Sequence, residues 1–218
     1  MNQTLTTIFA LTVACVTGMA QAQEVRGDAK AGASKVAMCI GCHGIEGYQA
    51  SFPEVHKVPM ISGQGAGYIA AALVAYQKGE RKHPTMRSIA NSLTDQDIAD
   101  VSAFYEKQVP ASTASKPVRE PSVQVAELLK RGACISCHGD NFAKPIDPSY
   151  PKIAGQHADY LYVALKSYKI DKNPQVGRTN GVMAGIAQQF TNQELKQLAG
   201  YIGRLDGDLK TVPQAKFR

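Results

Sequence analysis

Apolar residues recur every three to four positions in several short segments of this chain, and this spacing is typical of helices. Residues 68–78 and 160–168 both repeat aromatic and aliphatic side chains in this way. Good helix formers also fill residues 29–42 and 123–137. No run alternates apolar with polar residues as a strand does, and glycine and proline are frequent between the segments. The pattern predicts an all-α fold with long connecting loops.

Two further helices are predicted by capping boxes, in which a threonine is followed three residues later by an acidic residue. The first box is Thr94 with Asp97, and the second is Thr191 with Glu194. An apolar face follows each box, formed by Ile98, Val101 and Phe104 and by Leu195, Leu198 and Ile202. Each segment is therefore predicted to be an amphipathic helix packed on a core.

The same landmarks occur twice in the same order, and this repeat predicts two similar domains. The matching pairs are Gly63-Gln64 with Gly155-Gln156, Tyr68 with Tyr160, Met86 with Met183, and Tyr105 with Tyr201. Small residues and prolines between the two units are typical of an exposed linker. We divide the chain into domain 1 (residues 23–110), a linker (111–122) and domain 2 (123–218).

The N-terminus has the pattern of a secretory signal. Residues 8–20 are apolar and small, and Ala20-Gln21-Ala22 forms a cleavage site. We predict a cleaved signal peptide over residues 1–22, which also removes Cys15. The apolar run is short for a membrane span. Because MNQTLTT contains no Lys or Arg, an uncleaved anchor is the alternative.

The formal net charge is +6, and all of the excess lies in the second half. Residues 1–115 contain nine basic and nine acidic residues, whereas residues 116–218 contain fifteen and nine. One interpretation is an ordinary solvated basic face. The other is a docking surface for an acidic partner, whose encounter the charge would accelerate. No single run gathers the basic residues, so no nucleic-acid partner is predicted.

The pentapeptide C-x-x-C-H occurs twice, as Cys39-Ile-Gly-Cys42-His43 and as Cys134-Ile-Ser-Cys137-His138. This is the attachment signature for c-type haem. Thiols at i and i+3 can each form a thioether with a haem vinyl group, and the following His can supply an imidazole nitrogen to the iron. We therefore predict two haem c groups, bound through Cys39, Cys42, Cys134 and Cys137. Attachment of this haem outside the bacterial cytoplasm agrees with export.

A zinc site, a disulfide and a thioredoxin-like redox pair are the other interpretations of C-x-x-C. Zinc would have to gather ligands from two pairs that lie far apart in the sequence. A redox pair needs no following His and expects a βαβ context, for which there is no pattern. The four cysteines left after signal cleavage all belong to the two motifs.

The second axial position on each iron separates a sealed electron carrier from a ligand-binding or catalytic haem. Met86 and Met183 match each other in the repeat and lie 43 and 45 residues after His43 and His138. A buried Met is more often a core residue, but the matched position favours a ligand here. His83 competes with Met86 as the iron ligand, but its counterpart in the second unit is Asn180, so the repeat offers no equivalent histidine ligand there.

Two other matched pairs are candidate supports for the haems. Arg81 and Arg178 each precede the Met by five residues, and each is either a solvated charge or a partner for a haem propionate. Pro53 and Pro148 each follow the haem His by ten residues. A loop at these positions could offer a carbonyl to the imidazole N–H.

Over nearly all of the predicted mature chain, these motifs resemble the cytochrome c4 family. The resemblance rests on the two C-x-x-C-H units, the G-Q-x-x-x-Y segments, R-x-x-x-x-M and the closing helices. It implies two class I cytochrome c-like domains whose haem propionate edges face each other. It also implies axial pairs of His43 with Met86 and of His138 with Met183. The segment around residues 56–59 departs from the usual form.

The family resemblance implies a periplasmic carrier, not an enzyme, without a small-molecule substrate. Its partners would be the quinol–cytochrome c reductase complex and a terminal cytochrome c oxidase. Some members are membrane-associated, so peripheral membrane association is a further implication. The haem subunit of a flavocytochrome c sulfide dehydrogenase is similar and is the main alternative. A dihaem peroxidase, a thiosulfate dehydrogenase or a gas sensor would require an open iron or a spare cysteine.

Overall fold

The computed structural model describes residues 25–109 and 119–214, which form ten helices and four two-residue strands. The elements of domain 1 are α1 (Ala29–Ala33), α2 (Ala37–His43), β1 (Gln49–Ala50), β2 (His56–Lys57), α3 (Ala66–Gln77), β3 (Arg81–Lys82), α4 (Pro84–Asn91) and α5 (Asp95–Gln108). Those of domain 2 are α6 (Val123–Arg131), α7 (Ile135–His138), α8 (Ala158–Ser167), β4 (Gly177–Arg178), α9 (Gly181–Gln188) and α10 (Asn192–Ile202). The all-α prediction is confirmed, and the five helices of each domain follow the repeat.

The helix predicted before each haem motif is divided into two. In domain 1 the first helix ends at Ala33, where Ser34 caps it by donating from its hydroxyl to the Ala31 carbonyl. In domain 2 the break lies at Ala133, whose φ of 46° is left-handed and cannot continue a right-handed helix. Each break separates the helix that carries the haem motif from the helix before it.

The first and last helices of domain 1 cross at very close range. A Cβ placed on Gly32 would lie only 2.2 Å from the Asp100 carbonyl oxygen, so α1 needs glycine at this contact. Lys35 then forms ion pairs with Asp97 and Asp100 of α5, both at 2.7 Å. These contacts fix the start of the haem motif on the C-terminal helix of its domain.

Both predicted capping boxes are present. The Asp97 N–H donates to Thr94 Oγ1 at 3.1 Å, and the Glu194 N–H donates to Thr191 Oγ1 at 3.2 Å. The side chain of each acid accepts a bond from the backbone N–H of its threonine in return. The buried residues of α5 and α10, including Ile98, Val101, Leu195 and Leu198 from the predicted faces, pack into the cores of the two domains.

The two domains share a small antiparallel strand pair that the sequence did not predict. Arg81 of β3 pairs with Arg178 of β4, so two positions that match in the repeat face each other. The β1–β2 hairpin of domain 1 also lies on α8 of domain 2, where Glu54 forms a 2.7 Å ion pair with Lys166. His56 of this hairpin is 5% exposed and lies beside the Tyr160 ring.

Within residues 25–109 and 119–214, no helix is both long enough and apolar enough to span a membrane. The predicted signal peptide and most of the predicted linker lie outside the described residues.

The close crossing of α1 and α5 generates a stability prediction. Gly32→Ala should destabilise domain 1 by about 1–3 kcal/mol, because the new methyl group overlaps the Asp100 carbonyl and the helices must separate. Gly200→Ala in α10 is the control, since nothing lies within 4 Å of its Cβ position. It should stabilise the protein by about 0.5–1 kcal/mol. Urea unfolding followed by far-UV circular dichroism measures both; equal effects would contradict the close-contact argument.

Candidate functional site

Both C-x-x-C-H motifs lie on short helices that present the cysteines and the histidine together. Cys39, Cys42 and His43 lie on α2, while Cys134 caps α7, which contains Cys137 and His138. All four motif cysteines are partly buried. The two sulfur atoms of each pair match the two thioether bonds that attach one haem c.

Each motif histidine is held through one ring nitrogen by a proline carbonyl. His43 Nδ1 lies 2.8 Å from the Pro59 oxygen, and His138 Nδ1 lies 3.1 Å from the Pro151 oxygen. A carbonyl can only accept, so Nδ1 carries the proton and the lone pair is on Nε2. Burial lowers the pKa of both histidines despite the opposing effect of the carbonyl bond. The result is a neutral imidazole with Nε2 free, which is the form that binds iron.

The prediction that Pro53 and Pro148 supply this carbonyl is wrong. Pro53 lies between β1 and β2, in the part of the loop that is longer in domain 1. The Pro148 carbonyl points to the other domain, and a Cβ on Gly67 of α3 would lie 2.7 Å from it. The prolines that reach the histidines are the later ones in each loop, Pro59 and Pro151.

Met86 and Met183 occupy the same position, the third residue of α4 and of α9. The residue three positions earlier caps each helix: His83 Nδ1 accepts from the Met86 N–H at 3.4 Å, and Asn180 Oδ1 from the Met183 N–H at 3.0 Å. His83 thus shares a capping role with its repeat partner. Met86 packs on the same apolar cluster as Cys39, and Met183 is partly buried.

The described part of the chain contains no side-chain cluster suited to zinc. No group of three or more His, Cys, Asp or Glu side chains there could hold a metal ion. The two C-x-x-C pairs therefore do not combine into one four-ligand site there.

Arg81 and Arg178 lie between tyrosine rings at the domain interface. The Arg81 guanidinium carbon is 5.8 Å and 4.8 Å from the ring centroids of Tyr68 and Tyr76. Arg178 of domain 2 has a similar position: its guanidinium carbon is 5.7 Å from the ring centroid of Tyr160 and 5.4 Å from that of Tyr168. The Tyr160 hydroxyl accepts bonds from both arginines, at 3.3 Å from Arg81 and 3.2 Å from Arg178.

In the part of the chain that the structure describes, no acidic side chain forms an ion pair with these two cations. Among residues 25–109 and 119–214, the buried Arg81 Nε also has no hydrogen-bond partner. Burial alone would raise the pKa of Tyr160, but Arg178 and Arg81 more than offset it and hold the value at about 8. An anionic group is therefore expected at this position.

A cavity of about 330 Å³ opens beside the arginines and is lined by Tyr68, Arg81, Ser149, Tyr168 and Arg178. A carboxylate placed there would lie beside both guanidinium groups. The interface therefore fits the carboxylate edges of haem groups attached in the two domains. The sequence pointed to the arginines through the repeat, but the tyrosines around them were not predicted as part of the site.

Comparison with known proteins agrees with this geometry. The family model for cytochrome c matches residues 29–107 and 123–206, one match in each domain. Cytochrome c4 of Azotobacter vinelandii is 31% identical, over 93% of this chain and 98% of that relative. A thiosulfate dehydrogenase electron acceptor of Stutzerimonas stutzeri is 29% identical, over 85% of this chain and 88% of the relative.

The fold is also similar to solved structures. The reduced recombinant cytochrome c4 from Pseudomonas stutzeri superposes with a TM-score of 0.59 at 28% identity, covering 83% of this chain and all of that one. The two attachment motifs, the carbonyl-held histidines and these matches lead to one conclusion: the chain belongs to the cytochrome c family, as a two-domain member of the cytochrome c4 type with two covalently bound haem c groups.

Proposed function

We propose that this dihaem electron-transfer cytochrome is a periplasmic carrier between the quinol–cytochrome c reductase complex and a terminal cytochrome c oxidase. The observation that supports it most is the duplicated site, in which each motif histidine is fixed by a proline carbonyl with Nε2 left free. Two such sites in one chain suit a protein that passes single electrons. Haem iron, when bound, supplies the reversible one-electron couple.

The side chains then have the following roles. The pairs Cys39 with Cys42 and Cys134 with Cys137 attach one haem in each domain. His43 and His138 bind the irons through Nε2, while their Nδ1–H bonds keep the rings in one orientation. Met86 and Met183 would each supply a thioether sulfur as the second protein ligand of one iron. With two protein ligands for each iron, no position would be left for a small-molecule substrate, and the protein would act as a carrier and not as an enzyme.

Arg81 and Arg178 neutralise the haem propionates in this proposal. They lie side by side on β3 and β4, lack a protein counter-ion among the described residues, and border the interface cavity. Their charges would also favour the reduced state of the haems, because the ferric form carries one more positive charge than the ferrous form.

Localisation and partners follow from the N-terminal sequence and the family. We assign residues 1–22 to a signal peptide and place the mature protein in the periplasm. Any association of the protein with the membrane would be peripheral. One relative is named as an electron acceptor of a thiosulfate dehydrogenase, which agrees with a carrier that receives electrons from an enzyme. A flavin that co-purifies in stoichiometric amount would favour the flavocytochrome alternative.

Domain 2 supplies the docking face for an acidic partner in this proposal. Three lysines lie on α8 and in the segment after it, but two of them are bound within the protein. Lys166 is bound to Glu54 of domain 1, and Lys169 donates to the Phe190 carbonyl. Lys172 is exposed. Lys144 is also exposed, and it lies in the loop whose Ile146 N–H donates to the Cys137 carbonyl. Lys144 and Lys172 are therefore the better candidates.

The axial ligands are tested by Met183→Ala. Loss of the sulfur should open the iron of domain 2 to carbon monoxide and remove about half of the near-infrared sulfur–iron absorption. The unsubstituted protein, with two haems by pyridine haemochrome assay, should not bind carbon monoxide. An unchanged near-infrared band would show that Met183 is not a ligand. Met86→Ala is the matched variant and should remove the other half.

The arginines are tested by Arg81→Gln and Arg178→Gln. Removing a cation beside the propionates should lower the reduction potential of at least one haem. A tenfold change in the one-electron equilibrium corresponds to a shift of about 59 mV. Arg→Lys at either position keeps the charge and should restore most of the potential. Arg204→Gln, on the exposed surface of domain 2, is the control. Spectroelectrochemical titration measures all of them; equal potentials throughout would assign both arginines to packing alone.

The docking face is tested by salt and charge reversal. Electron transfer to an acidic oxidase should slow as ionic strength rises, because screening shortens the reach of surface charges to about 8 Å at physiological salt. Lys144→Glu with Lys172→Glu should lower the bimolecular rate on the order of tenfold at low salt. Lys78→Glu in domain 1 is the exposed control. A rate that ignores salt, or that falls more with Lys78→Glu, would contradict the proposal.

A further inference from the structure

Two buried glutamines cross the domain interface in a reciprocal arrangement. Gln64 is 3% exposed and Gln156 is 4% exposed, and they match each other in the repeat. Each follows a glycine with positive φ, Gly63 at 83° and Gly155 at 73°, so the chain turns sharply just before the glutamine. The turn sends each amide side chain into the opposite domain.

Each glutamine binds both backbone groups of a single residue across the interface. Gln64 Oε1 accepts from the Lys152 N–H and Gln64 Nε2 donates to the Lys152 carbonyl, both at 2.9 Å. Gln156 Oε1 accepts from the Met60 N–H at 3.0 Å, and its Nε2 donates to the Met60 carbonyl at 2.9 Å. The backbone partners fix which end of each amide is oxygen, since an N–H must meet an acceptor and a carbonyl a donor.

The bonded residues are the ones directly after the prolines that hold the haem histidines. The Pro59 carbonyl and the Met60 N–H belong to one peptide unit, and so do the Pro151 carbonyl and the Lys152 N–H. A peptide unit is planar and rigid, so fixing its N–H also fixes the direction of its carbonyl. A bond to the N–H also polarises the unit and strengthens the carbonyl as an acceptor.

A continuous chain of hydrogen bonds therefore runs from each glutamine to the histidine of the other domain. In one direction it goes from Gln156 through the Pro59–Met60 peptide to His43 Nδ1. In the other it goes from Gln64 through the Pro151–Lys152 peptide to His138 Nδ1. Nothing comparable links either glutamine to the histidine of its own domain among the bonds of the described residues.

We propose that Gln64 and Gln156 are positioning residues that act in a crossed manner, each setting the imidazole orientation and the donor strength of the haem histidine in the opposite domain. The inference rests on the proposed ligation of iron by His43 and His138. It makes the interface part of both redox centres: the potential of each haem depends on the presence of the other domain.

A purely structural role would give a different pattern. If the glutamines only join the domains, removing either one loosens the same interface and affects both haems alike. If they act within their own domains, Gln64 affects the haem of domain 1. Only the crossed arrangement makes a substitution in domain 1 act selectively on the haem of domain 2, and the reverse.

The experiment uses the holoprotein with Gln64→Met or Gln156→Met, which keep the length of the side chain and remove the amide. Proton NMR of the oxidised protein reports each haem separately, because the shifts of the haem methyl groups depend on the orientation of the axial imidazole. Spectroelectrochemical titration then gives both potentials. Gln64→Met should move the haem 2 methyl shifts and change the haem 2 redox equilibrium about threefold, or about 30 mV, with haem 1 unchanged. Gln156→Met should do the opposite.

Gln77→Met is the matched control. The Gln77 amide also donates two bonds to backbone carbonyls, those of Ala90 and Leu93, but both lie in its own domain. It should leave haem 2 unchanged. Should a Met variant fail to fold, Gln64→Asn and Gln156→Asn decide, because they keep a neutral amide that is one methylene shorter and should give a smaller crossed shift.

Uncrossed or equal shifts, or two asparagine variants that both fail to bind haem, would overturn the crossed assignment. The proposed ligation is checked separately by the unsubstituted protein. If that protein lacks two His–Met haems by NMR and by its near-infrared band, the proposed ligation itself fails, whatever the variants do.

Discussion

The hydrogen bond from an imidazole Nδ1–H to a peptide carbonyl is the interaction on which the rest of this structure depends. It fixes the tautomer of His43 and His138 and leaves one nitrogen for a metal. The carbonyl must come from a loop, and the loop must be held. The loop is held by the helices on which it rests and by the domain interface. The α1–α5 contact positions the motif from one side, and the proline loops enclose it from the other.

The interface balances two kinds of polar contact. The glutamine amides satisfy backbone groups that would otherwise be buried without partners, at little electrostatic cost. The arginine pair is the opposite: two like charges lie together, and tyrosine rings with one shared hydroxyl are the protein's own compensation. Anions nearby would lower the cost of this arrangement. If haem propionates lie here, as proposed, cofactor binding and domain association would support each other, because the same anions would relieve the repulsion across the interface.

Much of this arrangement was accessible from the sequence, because covalent chemistry and local rules leave clear patterns. The C-x-x-C-H spacing indicated the haems, and Thr94 and Thr191 marked helix starts that the structure contains. The repeat alone singled out Met86 and Met183 as matching positions.

The predictions that failed depended on the path of loops and on contacts between domains. Pro53 and Pro148 share one spacing from the two histidines, but the loops bring the carbonyls of Pro59 and Pro151 to them instead. No sequence pattern linked Lys166 to Glu54 of the other domain, yet the two form an ion pair. The left-handed Ala133 carries no signal in its residue type.

The pairing of Arg81 with Arg178, and the exchange of glutamine contacts, place matched positions of the two repeats against each other. This is the geometry of an isologous contact, the kind made by two identical subunits about a two-fold axis. In a homodimer every substitution at such a contact appears twice, so the two sites must remain equal. Joining the subunits in one chain removes that restriction. A change such as the extended hairpin of domain 1, or the excess of basic residues in domain 2, can then be confined to one half. The fused protein keeps the symmetric contact while its two redox centres are free to diverge into a donor side and an acceptor side.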